Sequence, residues 1–207
     1  MLLQDRNQVR FTLESTKTLV YDYFVGAWAV FTNLNAVDSV IWKTKHTYIR
    51  SNGQPLRETD GVFTDDGSPI NLKIQTTWLN FAGIQGFQRW WAGFILGTWK
   101  SPHRLLVNLY YDFNENYSQE IVVTPEPLYT YGTGVYGVSG SVYGGLDELY
   151  QYRINPERQR CMSAKMMITD IPDASGSFGA GTEISNLRFE YGAQVNGNRL
   201  RANKQFG

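Results

Sequence analysis

Residues 69–113, PINLKIQTTWLNFAGIQGFQRWWAGFILGTWKSPHRLLVNLYYDF, decide the fold. In them Ile70, Leu72, Ile74, Thr76 and Trp78 alternate with Asn71, Lys73, Gln75 and Thr77. After Gly83 and Gly86, Trp90, Ala92, Phe94 and Leu96 alternate with Arg89, Trp91, Gly93 and Ile95. After Ser101-Pro102, Leu105, Val107, Leu109 and Tyr111 alternate with Arg104, Leu106, Asn108 and Tyr110. Side chains of a strand point alternately to opposite faces, so a period of two marks a strand with one face covered. Three such runs, broken at Gly and Pro, predict consecutive strands of one antiparallel sheet or sandwich.

The same pattern runs outward in both directions. Upstream, Val9, Phe11 and Leu13 alternate with Arg10 and Thr12; Leu19, Tyr21 and Tyr23 with Val20 and Asp22; Trp28, Val30 and Thr32 with Ala29 and Phe31. Residues 36–42 and 44–50 read as further strands, with Ser51-Asn52-Gly53 as a turn. About ten residues per strand suits a propeller blade or a meander. One blade and part of a second are present, and a blade does not bury both faces alone. Its open face therefore packs on the following domain or on another chain. Downstream, residues 120–124, 148–154, 162–168 and 187–191 complete an expected set of seven strands. The expectation is an all-β chain: a partial propeller-like blade or meander over 1–66, an antiparallel β-sandwich over 67–198, and a basic tail over 199–207.

Composition narrows the function. Nineteen basic and nineteen acidic residues balance, so no global charge favours nucleic acid or an acidic membrane. Thirteen Tyr and six Trp suit strands and interfaces alike, because they bury much area with few rotatable bonds. The lone cysteine, Cys161, rules out a disulfide within the chain and is expected to be a structural thiol on the face opposite Met162, Ala164, Met166 and Ile168. No leader and no spanning run is apparent, which predicts a soluble chain without a membrane anchor.

No reactive constellation emerges. His46 and His103 lie beside Lys45 and Arg104 rather than near an Asp or Ser in a familiar order. Gly137-Val138-Ser139-Gly140-Ser141 departs from a nucleophile elbow by the place of its glycine. Phosphate-loop, dinucleotide and His/Cys metal spacings are missing. Asp60, Asp65 and Asp66 with Gly61 and Gly67 lack the twelve-residue calcium-loop spacing, and a solvated turn is the better reading. Glu58 with Asp60 is a carboxylate pair of the sort any β protein offers. No enzymatic activity, cofactor or metal is expected. The segment 125–147 interleaves glycines with Tyr129, Tyr131, Tyr136 and Tyr143, the composition of an adaptable binding loop, and is read as a loop contacting a neighbouring subunit. Trp91 joins those tyrosines as an interface candidate, since adjacent Trp90 and Trp91 point to opposite faces. Arg199, Arg201 and Lys204 are the candidate nucleic-acid contacts in the tail.

Several short motifs together resemble one family. Thr18-Leu19-Val20-Tyr21-Asp22-Tyr23, Trp28-Ala29-Val30-Phe31-Thr32 and Ala36-Val37-Asp38 resemble the propeller repeats of tail hub proteins of short-tailed bacteriophages, also called tail accessory factors or packaged-DNA stabilization proteins. Gly83-Ile84-Gln85-Gly86-Phe87-Gln88-Arg89, Ser101-Pro102-His103, Arg160-Cys161-Met162-Ser163, Ile168-Thr169-Asp170, Ile184-Ser185-Asn186-Leu187 and Glu190-Tyr191-Gly192 look like their C-terminal β domain. The resemblance implies a structural protein of the virion tail, made in the host cytoplasm and forming a homo-oligomeric ring, usually of six copies. The ring would sit below the portal-adaptor proteins and above distal tail proteins, extend the DNA conduit without sequence-specific binding, and help retain the genome. The departure is length: family members carry a whole propeller before the C-terminal domain. The alternative is a carbohydrate-binding β-sandwich module on a host-recognition appendage, which requires Trp78, Trp90, Trp91 and Trp99 on an exposed platform.

Overall fold

The computed structural model describes residues 1–13, 17–34, 36–83, 86–101, 103–124, 128–129, 142–143, 149–172 and 179–194. Within them the protein is all-β, with one short 3-10 turn at Gln4–Arg6. It divides into two compact units, Met1–Ile70 and Asn71–Gly207. The division follows Ile70 rather than Asp66 because the acidic turn folds back onto the first unit. There Tyr48 Oη donates to Asp65 Oδ1 at 3.2 Å and Arg50 Nη1 to Asp66 Oδ2 at 2.5 Å.

The first unit opens with β1 (Leu2–Leu3), β2 (Gln8–Leu13), β3 (Lys17–Asp22) and β4 (Ala27–Thr32), an antiparallel four-stranded sheet in sequential order. A three-stranded sheet follows, of β5 (Ala36–Trp42), β6 (Lys45–Arg50) and β7 (Pro55–Arg57). The hairpin of β8 (Thr64–Asp65) and β9 (Ser68–Pro69) turns at Asp66 and Gly67, with φ of 49° and 80°. Two consecutive positive φ values are what a tight two-residue hairpin needs, and an Asp-Gly pair supplies them at low cost.

The second unit contains β10 (Lys73–Gln75), β11 (Phe87–Trp99), β12 (Arg104–Tyr111), β13 (Gln119–Val123), β14 (Leu128–Tyr129), β15 (Val142–Tyr143), β16 (Leu149–Ile154), β17 (Arg160–Cys161), β18 (Ala164–Ile171) and β19 (Thr182–Gln194). One sheet has the order β10-β18-β12-β13. In the other, β11 is flanked by β16 and β17 on one edge and by β19 on the opposite edge. Both sheets send side chains into one core: Trp90, Ile95 and Trp99 from β11, Leu105, Val107, Leu109 and Tyr111 from β12, Ile154 from β16, Met166 and Ile168 from β18. Two antiparallel sheets sharing a core make a β-sandwich.

Four local expectations are corrected. The strand read over 70–78 shortens to β10, because Ile70 and Leu72 stay exposed and only Lys73–Gln75 pairs in register with β18. In β11 the buried row changes phase: Trp90 and Ala92 face inward, then Gly93, Ile95, Gly97 and Trp99. The cause is a bulge, since Trp90 pairs with Tyr191 and Ala92 with Glu190, leaving Trp91 unopposed. Phe94 and Leu96 therefore leave the row that strict alternation assigned to them. Cys161 lies in the same core as Ala164, Met166 and Ile168, not opposite them. Asp112 holds the connection out of phase: its Oδ1 accepts Met162 N–H at 2.7 Å, and its own N–H reaches Ser163 O at 2.9 Å. Burial pushes the Cys161 thiol above its ordinary pKa, as befits a structural thiol. Within 125–147, the backbone of Leu128–Tyr129 pairs in parallel with Val142–Tyr143, so that segment is not wholly irregular.

The bulge and the core give opposite expectations for two aromatics. Phe189 packs against the core beside Trp90, with ring centroids 5.8 Å apart. Phe189→Asp should lower stability by about 3 kcal/mol or more, since it removes an apolar contact and puts a carboxylate in its place. Trp91→Ala, at an exposed bulge, should change it by less than about 1 kcal/mol. Urea denaturation of the two variants measures both; an undiminished midpoint for Phe189→Asp would show that the face is not core.

Candidate assembly interface

Alternation in β2 separates Gln8, Arg10 and Thr12 on one face from Val9, Phe11 and Leu13 on the other. The face turned toward the second sheet is the polar one. Arg10 is only 4 % exposed. Its guanidinium pairs with Glu58 Oε1, and its Nη2 donates to Gln8 Oε1 at 3.0 Å. His46 Nδ1, from β6, lies 3.0 Å from the same Glu58 oxygen and 3.3 Å from Arg10 Nη1. Arg6 closes the cluster from outside, 2.8 Å from Glu58 Oε2. Thr18 of β3 donates its hydroxyl to Leu34 O at 2.7 Å, and Leu34, Ala36 and Tyr48 form a small apolar cluster. A cleft of about 120 Å³ remains between the sheets, lined by Met1, Arg10, Thr12, Leu34, residues 36–39 and His46.

Electrostatics follow from this burial. Burial alone would raise the Glu58 carboxyl; hydrogen bonds and charge from His46 and Arg10 outweigh it and hold the pKa at about 2. Glu58 is thus a fixed anion, and Asp60 is engaged by Lys45. Neither is poised as the general acid of a glycosidase pair. The Tyr48 hydroxyl is pushed up to about 12, by burial first and by Asp65 second.

The opposite face of the first sheet is apolar and open. Register sets Leu2 against Val9, Val9 against Tyr21, Phe11 against Leu19, Leu19 against Val30 and Tyr21 against Trp28. Leu2, Phe11, Leu13, Trp28 and Val30 are all exposed, Trp28 to 61 %. Trp28 sits between Tyr21 and Phe11, at centroid distances of 4.7 and 6.2 Å. Lys17 is the one charged side chain on this face among the described residues. Trp and Tyr massed on a flat surface are the side chains that dominate protein–protein hot spots. A monomer's largest apolar patch is typically about 300–600 Å²; three six-residue strands and the two-residue β1, at about 4.8 Å spacing and about 3.3 Å per residue, give this face about 320 Å² in plan.

The sequence-predicted residues fall elsewhere. Trp91 is 48 % exposed at the β11 bulge and packs over Gly192, where an added Cβ would sit 3.1 Å from its ring. Tyr129 and Tyr143 are placed by backbone only, in β14 and β15. Tyr131, Tyr136, Arg199, Arg201 and Lys204 lie outside the described residues. Phe11, Tyr21, Trp28 and Val30 were not singled out, although Arg10, His46 and Glu58 carried a signal. Arg10 and His46 on short strands, with Glu58 just beyond another, are hard to bury except against one another, which fixes the apolar row as the outer one.

One constellation unforeseen in the sequence lies in the second unit. His103 Nδ1 is 2.8 Å from Asp170 Oδ2, and both side chains are buried. Ser101 Oγ accepts Gly181 N–H at 2.7 Å, and Trp99 Nε1 donates to His103 O at 2.6 Å. An activated serine requires the imidazole at its hydroxyl. Here Ser101 Oγ accepts a backbone amide and the His103 Nε2 that a serine would have to meet has no hydrogen-bond partner among the described residues; the contacts tie the passage from β11 to β12 to β18 and to the start of β19. Gly181 has φ of 69°, and a Cβ there would meet Asp170 Oδ2 at 2.7 Å. The four tryptophans of the carbohydrate reading do not share a platform. Trp90 and Trp99 are core, and Trp78 packs on Phe113 at 5.2 Å. Among the described residues no group of three His, Cys, Asp or Glu side chains is placed to hold a metal, and no helix is long and apolar enough to cross a membrane.

Glu58 makes the first unit sensitive to acid. Its folded pKa of about 2 lies below the ordinary 4.5, so its contribution is complete above pH 4.5 and is lost as pH falls toward 2. Amide hydrogen-exchange protection in the first unit, corrected for the intrinsic rate at each pH, should fall through that window. Glu58→Gln should flatten the acid dependence while lowering stability at pH 7 by about 3 kcal/mol, because Arg10 stays buried without its counter-charge. An unchanged acid profile in the variant would remove Glu58 as the cause.

No protein-family model matches the chain, and no curated protein is significantly similar to it.

Proposed function

We propose that this chain is a structural subunit of a phage tail, acting by assembly into a hub or nozzle ring below the portal-adaptor proteins. In that place it extends the DNA conduit and helps retain the packaged genome. The observation that carries the reading is the open aromatic face of β1–β4, centred on Trp28. An apolar surface of that extent is favoured when covered, at about 25 cal/mol per Å² removed from water. The family resemblance supplies the setting, a homo-oligomeric ring of six copies in the virion tail. Balanced charge suits a conduit wall, since each phosphate neutralised by the wall would hold DNA more strongly. The carbohydrate-binding alternative loses support from the burial of Trp90 and Trp99.

Native mass measurement combined with negative-stain imaging tests the proposal. The expected result is a closed multi-subunit particle with a central opening at micromolar concentration. A monomer at every concentration, or a monomer whose tryptophan fluorescence is quenched saturably by glycans, would overturn it.

A further inference from the structure

The outer face of the sheet built on β11 concentrates charge that the balanced total conceals. Arg89 of β11 stands directly opposite Arg160 of β17, and Phe94 stands between Arg153 of β16 and Arg188 of β19. All four arginines are exposed, on the side away from the buried Trp90, Ile95 and Ile154. In the stretches of strand that carry them, among the described residues, the one carboxylate is Glu190, 3.5 Å from Arg188. Like charges set directly opposite across two strands destabilise the pairing, so Arg89 against Arg160 is unfavourable for the fold alone.

Trp91 lies between these two rows, at the bulge where no residue opposes it. Its ring rests on Gly192: a Cβ added there would lie 3.1, 3.3 and 3.8 Å from three atoms of the six-membered ring. The indole is thus laid over the backbone of β19 where a side chain would otherwise stand, and Trp91 remains 48 % exposed. The guanidinium of Arg160 lies over Phe87 at 4.7 Å, and that of Arg153 over Phe94 at 5.9 Å. These cations are held on rings instead of being neutralised by carboxylates. Arg89 donates from Nε and Nη2 to Gln159 Oε1, at 3.0 and 2.9 Å, a neutral partner that leaves its charge uncompensated.

Charge complementarity selects the occupant. Four guanidiniums around an open indole suit a ligand that repeats both anions and flat π-faces. Guanidinium forks match phosphate oxygens, and bases stack on an aromatic ring whatever their sequence. A duplex offers the phosphates but keeps its base faces covered, and an acidic polysaccharide has no planar ring. From Phe87 to Phe94 the strand runs about 23 Å at about 3.3 Å per residue, room for a short run of nucleotides. We propose that this face binds single-stranded nucleic acid without sequence preference. One base stacks on Trp91, and phosphates on either side of it pair with the Arg89–Arg160 row and the Arg153–Arg188 row. The site lies within the second unit and goes beyond the assembly reading, on which it does not depend.

Fluorescence anisotropy of a labelled oligothymidylate of about 20 nucleotides, titrated with the full-length chain from about 50 mM salt upward, tests this. The wild type should bind it at least about tenfold more tightly than a duplex of equal length. Trp91→Ala should weaken binding about tenfold, and Trp91→Phe should restore most of the loss. Arg153→Gln combined with Arg188→Gln should reduce the slope of log affinity against log salt by about 1.4. Melting curves verify that each variant folds; should Trp91→Ala fail, the arginine variant and the duplex comparison still decide. Equal affinity for duplex, full affinity in Trp91→Ala, an unchanged salt slope, or no binding by the wild type would overturn the inference. Tighter binding of heparin that ignores Trp91 would assign the face to acidic polysaccharide and overturn it as well.

Discussion

The guanidinium of Arg10, enclosed between two sheets against Glu58 and His46, fixes the orientation of the whole first unit. A buried charge without a counter-charge is penalised by several kcal/mol, so β2 settles with Arg10 facing β6. Strand geometry then leaves no choice for the alternate row. Val9, Phe11 and Leu13 must point the other way, and the paired residues of β3 and β4 follow them. One ionic cluster thus turns an aromatic surface outward. Had the polarity been reversed, the first unit would hold an ordinary apolar core and would present charge to its surroundings.

The second unit resolves the same two-faced problem within itself. Its two sheets enclose a common core, and the long strand β11 serves both halves of it by shifting phase at Trp91. The bulge admits Trp90 and Trp99 to the interior although they sit on opposite rows of a strictly alternating strand. The buried His103–Asp170 pair and the Ser101–Gly181 contact secure one end of this sandwich. These polar groups are the costly part of the unit, and they sit where the chain passes from one sheet to the other.

Strand identity was legible in the sequence because period-two alternation survives in β2, β3, β4, β11 and β12. Three things were not. Alternation says which residues share a face but not which face is covered, so the outward direction of Phe11 and Trp28 had to come from the charge cluster. Phase shifts at Trp91 and at Met162-Ser163 arise from long-range pairing with β19 and with Asp112, partners distant in sequence. The His103–Asp170 pair likewise joins residues on separate strands, which no local spacing reveals. The tyrosine-rich segment and the basic tail drew attention by composition, while the aromatic face of β1–β4 was hidden among residues that looked like ordinary core.

The central claim is that the Trp28 face is covered in the working protein by another copy of the chain. Thiol labelling of a Val30→Cys variant tests it most directly, because Val30 lies in that face and the native Cys161 is buried and silent. In the assembled particle the new thiol should react with a maleimide far more slowly than after dilution to the monomer. Equal reactivity in the intact particle and in the monomer would contradict the account.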